Sequence, residues 1–557
     1  YYVCDAGPEH RLNVWRFDPA TGQRAQVTRF TEHDVRFPAI GPGPAGGGEI
    51  IFQLGADLML LDLATGQSRA VQITIPGAQP RLREQTFDAA ERMQGAAISP
   101  NAKRIVVAAR GDIWTLPAAD GSPRNMTRSS GVADRNPSWS PDGRWIAYTS
   151  DASGEYQVII TQSDGRGETK TIDVGPGHYL YGITWSPKST HITFTDHRGN
   201  LFLHDIGAGT TSTVMQSAWA EGVAPSWSHV GAWLAFSVQE GPITNVIHLH
   251  EIASGTTSRV TSGMFNAASP AFDREGKFLY FITNMDFENP TYEDVGTSWI
   301  YSQTSRIAMV PLRDDIASPL APSSDEESWK EEKPEAAGDD ADEGEEEHED
   351  DDEHEEGHDA DDASQDASGA AADEPEGDKP DTLRIDLDGF EARAVMLPIG
   401  RGIIGNLDVT KSGSLLFTRG VPRGMDGESS IRLYNPLETD DAKRKEETVA
   451  SGAGNYQLAA DGSHLLVSRQ GRMYIIEAKP NQRFENAVPT AGMGVSVDPR
   501  QEWAGVLRDA WRRQRDYFYD PTMHGVDWNA VYQQYAAMLP DCASRDDVGF
   551  VIAEMIS

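Results

Sequence analysis

Residues Pro137 to Ser150 read PSWSPDGRWIAYTS: an aromatic anchor, a Ser-Pro-Asp-Gly turn, then an alternating apolar strand. Asp-Gly at the centre of a turn supplies the left-handed backbone that a tight reversal needs, and the residues after it alternate with the period of a half-buried strand. Related stretches recur along the chain. They are AISPNAKRIVVAAR from Ala97, ITWSPKSTHITFTD from Ile183, PSWSHVGAWLAFSV from Pro225, PAFDREGKFLYFIT from Pro270, LDVTKSGSLLFTRG from Leu407 and QLAADGSHLLVSRQ from Gln457. The anchors Ile98, Trp139, Trp185, Trp227 and Phe272 stand 41, 46, 42 and 45 residues apart. A period of that size, with several strands in each unit, is that of a four-stranded propeller blade. Each copy is followed by a second strand and a Gly-bearing turn, as in IWTLPAADG, LFLHDIGAG and IHLHEIASG, which gives the middle hairpin of a blade. The fold class expected is mainly β, the seven copies between about Ala97 and Lys479 forming a complete seven-bladed β-propeller. Trp139, Trp185 and Trp227 occupy equivalent places in their repeats, so they are expected to pack between blades rather than to form a peptide-binding ladder.

Outside the seven copies, residues 1–76 contain two further units, YYVCDAGPEHRLNVWRFDPATGQ and EIIFQLGADLMLLDLATGQ. They read as the last two blades of an earlier propeller, and two blades with open edges are expected to be poorly stable in isolation. From Asp498 to Ser557 the pattern changes to helix. Trp503, Val506, Leu507, Ala510, Trp511, Tyr517 and Phe518 fall at helical spacing, interrupted by the polar Gln514. Asp527 is placed to cap a second helix with the stripe Trp528, Val531, Tyr532, Tyr535, Met538 and Leu539, which Pro540 ends. Ser544 and Asp547 form a capping box for a third, with the stripe Val548, Val551, Ile552, Met555 and Ile556. That helix is still running at Ser557, and the chain opens on Tyr1 already in a strand-like pattern. Both ends therefore read as cuts within a longer protein, and a secretory signal lies outside what this sequence tests.

The 557 residues carry 48 basic against 86 acidic side chains, a net charge of −38. The segment 321–380 holds 28 acidic residues against three lysines, −25 of that total, leaving −13 for the rest. Its composition predicts a disordered, solvated loop inserted within the fifth blade. His348, His354 and His358 lie among its carboxylates, a pattern that a weak divalent-metal site could share, but the solvated loop is the reading adopted and no metal or cofactor is expected. The acidic balance argues against nucleic acid as a partner. No run of about 18 apolar residues exists to span a membrane. Cys4 and Cys542 form no motif and are expected to be unpaired thiols. The basic triplet Arg512, Arg513 and Arg515 alternates with the apolar stripe and reads as a solvated or intersubunit face. There is no G-x-S-x-G nucleophile elbow and no Walker loop.

Propeller repeats followed by RRQRDYFYDPTMHGVDWNAVYQQYAAMLP resemble the tricorn protease family, with DYFYDPTMHGVDW (Asp516 to Trp528) the most specific part and RIDLDGFEARAVMLPI (Arg384 to Ile399) similar to its propeller sequence. The resemblance covers essentially the whole chain. It implies a six-bladed propeller ending within residues 1–76, a seven-bladed one over 86–490, and the opening of a helical core domain over 497–557, with a PDZ domain and a second core domain further on. It also implies a serine peptidase that cuts oligopeptides as a hexamer, its propellers guiding substrate and product, in the cytoplasm; a periplasmic setting is the alternative. The family's catalytic histidine and nucleophilic serine match no position here, so no catalytic residue is expected before Ser557 and the chain alone is expected to be inactive. His524, in the turn before the second helix, is expected to be structural. The competing reading is a non-catalytic scaffold similar to TolB-like propellers, whose repeats share the Ser-Pro-Asp-Gly turns; the helical segment weighs against it.

Overall fold

The computed structural model describes residues 1–43, 46–74, 76–77, 79–219, 223–242, 244–285, 292–294, 298–300, 303–321, 382–422, 426–440 and 442–557. The acidic segment, with His348, His354 and His358, falls almost wholly outside them.

Each repeat builds one antiparallel sheet from a single continuous stretch of chain. Blade 1 consists of Met93–Ile98, Arg104–Ala109, Asp112–Pro117 and Arg124–Asn125, and blade 2 of Arg135–Trp139, Trp145–Ser150, Gln157–Gln162 and Lys170–Ile172. Blades 3 and 4 open with Leu180–Trp185 and Ser226–Trp227. Blade 5 opens with Ala267–Phe272, and its last two strands, Arg306–Pro311 and Val395–Met396, flank the acidic segment. Blade 6 runs from Ile403–Val409 to Glu447–Ser451, and blade 7 has three strands, from Tyr456–Leu458 to Arg472–Glu477.

The recurrent serine explains the repeat. In blade 2 the Ser140 side chain is fully buried; its hydroxyl accepts from Trp145 N (2.9 Å) and donates to Asp142, satisfying the first amide of the next strand inside the core. Ser99, Ser186 and Ser228 do the same for Arg104, His191 and Trp233. Asp273 and Thr410 substitute for serine in blades 5 and 6, bonding Lys277 N and Ser414 N. The turn residue three places on is left-handed in all seven blades, at φ 77° in Gly143 but also at 56° in Ala102 and 57° in Ser189. The turn geometry is thus kept even where glycine is not.

The aromatic anchors pack between blades, as their spacing implies. Trp185 is buried and its Nε1 donates to Ser138 O of blade 2, Trp139 packs on the core shared with blade 1, and Trp227 meets the His191 ring of blade 3. The ring closes between blades 7 and 1. Ile98 N donates to the Gln457 side chain (3.0 Å), and Ala459 and Leu466 share a core with Ile98, Ile105 and Trp114. Among the described residues no strand is exchanged at this closure; instead Gln85–Asp88 and Gly494–Val497, before and after the seven blades in sequence, pair with each other.

Residues 1–76 form a three-stranded and a four-stranded sheet that share the core Val14, Val35, Ile50, Phe52 and Leu61. Three helices end the chain: α1 (Pro499–Tyr517), α2 (Trp528–Ala536) and α3 (Arg545–Ile556). Asp498, Asp527 and Ser544 cap them, the last in a reciprocal box with Asp547. Trp503, Leu507 and Trp511 of α1 pack with Met538, Val548 and Val551, and the Trp511 and Trp528 indoles each donate to the other's main-chain carbonyl. This helical unit also reaches the first two sheets: Glu554 pairs with Arg36, and the Gln534 amide donates to Glu32 O. Cys4 and Cys542 are both free thiols.

Candidate functional site

Helix α1 carries two stripes. The apolar one faces α2 and α3; the other, Glu502, Gly505, Asp509, Arg512 and Asp516, also advances by threes and fours and lies on the propeller. Glu502 pairs with Arg110 of blade 1 at 2.9 Å. Gly505 rests directly on Gly131, where a side chain on either would strike the other's backbone or that of Gln501. Asp509 accepts from the Tyr156 hydroxyl (2.6 Å) and faces Arg135. Arg512 is fully buried, bonded to Asp151 and Gly154 O of blade 2, with its guanidinium 4.5 Å from the Tyr156 ring centre.

Blade 3 receives the end of the helix. The His197 ring accepts from Tyr179 N at Nδ1 and meets Asp516 O at Nε2 (2.9 Å), an arrangement that requires the neutral ring with its proton on Nε2. Burial holds the His197 pKa below its ordinary value. Arg515 forms a two-point pair with Glu155 at 2.6 and 2.8 Å. Burial opposes ionisation of Glu155, but the bonds from Arg515 outweigh it and its pKa is lowered. The basic triplet is therefore not a solvated face. Arg512 and Arg515 lock the helix to blade 2, and Arg513, the most exposed of the three, stacks on Tyr179 and donates to its hydroxyl. The polar stripe was the available signal, since its period matches the apolar one; its partners lie more than 300 residues away in sequence.

Beside α1 and over blade 1 opens a cavity of about 1120 Å³, with Arg92, Arg110, Arg128, Asp134, Gly492 and Glu502 among its lining. Asp134 is buried, which pushes its pKa up to about 6 against the hydrogen bonds of its hydroxyl neighbours, while nearby Asp112 adds to the rise. In blade 3 the His178 ring meets Asp196 at 2.6 Å, and the same carboxylate accepts from Arg198 N, Asn200 N and the Asn200 amide. Every acceptor position of Asp196 is used by the loops of one blade, so the pair acts as a clasp. His524 is half-exposed in its turn, bonded to Asp520 and the Tyr519 hydroxyl. It orders the connection between α1 and α2. Among the described residues no group of three or more His, Cys, Asp or Glu side chains could hold a metal ion, and no helix is long and apolar enough to cross a membrane.

A closed seven-bladed propeller with a helical unit strapped across one face defines the class of protein. Residues 93–479 match the family model of the tricorn protease second beta propeller domain, and residues 499–557 that of the tricorn protease C1 domain. The chain belongs to the tricorn protease family. It is 24% identical over 523 residues to tricorn protease homolog 1 of Streptomyces coelicolor, covering 90% of this chain and 45% of that one. It is 20% identical to a tricorn protease homolog of Saccharolobus solfataricus, covering 98% and 45%. The crystal structure of the tricorn protease superposes with a TM-score of 0.73 at 15% identity, covering all of this chain and 48% of that one. The chain thus spans about half the length of these relatives.

Proposed function

We propose that this chain is the propeller region and the opening of the first core domain of a tricorn-like serine peptidase that degrades oligopeptides. The observation that carries this reading is the joint between propeller and helices. A binding scaffold has no need of a helical unit, whereas here α1 is docked through a buried Arg512–Asp151 pair and a glycine-on-glycine contact. Such a joint fixes the propeller relative to whatever the helical unit carries. The propeller then controls access, since an axial passage of limited bore admits extended chains and turns away folded ones. Residues 1–76 are the last two blades of a six-bladed propeller, residues 86–490 the seven-bladed one, and residues 497–557 the start of the helical core. The assembly is a homo-hexamer working in the cytoplasm without a cofactor. No residue of this chain acts on the scissile bond; His524 and the His178–Asp196 pair are committed to their loops.

Fluorophosphonate labelling tests the proposal. The longer protein that carries this sequence is expected to be labelled on a serine and to hydrolyse fluorogenic oligopeptides, while the 557-residue chain alone takes no label. Labelling of a serine within the chain, or a longer protein without peptidase activity, would refute it.

A further inference from the structure

A propeller used as a passage for extended peptides has a physical difficulty. The first strand of each blade has a single sheet partner, and the first strands of neighbouring blades lie side by side around the axis. Each therefore turns a main-chain edge that no second strand covers to the centre. Unpaired edges capture extended peptides by strand addition.

The structure shows how these edges are interrupted. In blade 2, Arg135 and Ser138 face Thr149 and Ala147, so the first strand holds one residue more than its partner. The same single extra residue recurs in the first strands of blades 1, 3, 5 and 6. At each irregularity one residue is left-handed: Gly95, Asn136, Gly182, Ser269 and Asn406, with φ between 53° and 68°. Four of them lie three residues before the blade's aromatic or apolar anchor, and Asn406 lies three before Val409. Pro137 and Pro270 follow two of them and contribute no N–H at all. The asparagine side chains reach onward: Asn136 donates to Leu180 O and Asn406 to Tyr456 O, each a carbonyl of the next blade's first strand. Blades 4 and 7 have first strands of only two and three residues. Regular edge is thus cut to pieces of about three residues, where a typical strand pairing uses about five or six.

We propose that these interruptions serve passage: five bulges and two short first strands blunt the seven inner edges so that an extended oligopeptide moves along the axis without being held by strand addition. Gly95, Asn136, Gly182, Ser269 and Asn406, with the two prolines, are the positions that determine this. The inference rests on the proposed passage of oligopeptides, and its test separates the two.

Access is read first. In a Gln94→Cys variant that also carries Cys4→Ser, a maleimide-bearing Thr/Val-rich peptide of about ten residues is expected to react at the inner strand of blade 1; failure to react while a small maleimide does so would remove the passage and this proposal with it. Capture is read next, by anisotropy of the same peptide carrying fluorescein and by amide exchange. The unmodified chain is expected to show no saturable binding below about 1 mM. Deleting Asn136 and Ser269, with Pro137→Val and Pro270→Val, restores two regular edges and is expected to tighten binding at least about tenfold, protecting amides of Arg135–Trp139 and Ala267–Phe272. Pro137→Val with Pro270→Val alone keeps the chain length, guards against misfolding of the deletions, and is expected to give a smaller gain. Saturable binding by the unmodified chain with protection of these amides, or no gain in a folded variant of either kind, would overturn the proposal.

Discussion

Replacing Arg512 by Met tests the joint between helix and propeller. The side chain is wholly buried and its closest charged partner, Asp151, is 5% exposed. Met fills most of the volume but leaves the Asp151 carboxylate without the guanidinium bonded to it, keeping the bond from Ala133 N at 2.7 Å and the more distant charge of Arg135. Asp509 keeps the Tyr156 hydroxyl and Arg135, so the loss concentrates on one carboxylate. Removing one partner of a buried pair costs about 3–5 kcal/mol. The stacking of the guanidinium on Tyr156 is lost too, within that range. The helix should open locally before the propeller melts, so native-state hydrogen exchange of the α1 amides is the assay. Exchange should quicken roughly a hundred- to several-thousand-fold, with the amides of blades 4 to 6 unchanged. Asp151→Asn should act similarly, and combining it with Arg512→Met should cost at least about 2 kcal/mol less than the sum of the single changes. Exchange of α1 within about fivefold of the parent, or additive single effects, would show that the pair does not hold the joint.

Other outcomes follow from the same contacts. Ser140→Ala removes the acceptor for the buried Trp145 amide and should lower propeller stability by about 1–2 kcal/mol in a urea titration. Gly505→Ala raises helix propensity by about 1 kcal/mol, yet it should undock α1, because its methyl would strike the Gly131 carbonyl; faster α1 exchange with intact blade spectra is the expected result. The pKa of Asp134 is raised to about 6 in the fold, so its neutral form contributes stability that is complete below about pH 4 and is lost as pH rises through 6, a change of about 2–3 kcal/mol. Asp134→Asn should flatten the stability profile across that window.

The propeller was legible in the sequence because its repeat is a hydrogen-bonding device as well as a hydrophobic one. A buried serine feeding the next strand's first amide, and a left-handed residue three places later, return at a fixed interval. The caps at Asp527 and Ser544 were equally readable, being closed within four residues. The arginine triplet was misread as solvated for the opposite reason. The partners of Arg512 and Arg515 are Asp151 and Glu155, remote in sequence, and an apolar stripe elsewhere on α1 already accounted for its packing. The two histidine clasps, at His178 and His197, were not singled out, since nothing local ties a histidine to a carboxylate 18 residues on or to a helix end.

On the function proposed above, the propeller governs what reaches the peptidase. The direct measurement is hydrolysis, by the longer protein, of a fluorogenic peptide presented free and with a folded domain fused to each end. Rapid cleavage of the free peptide with no cleavage of the doubly plugged one is the predicted result. Comparable rates for both would mean that substrates bypass the propeller, and the account of it as a passage would fail.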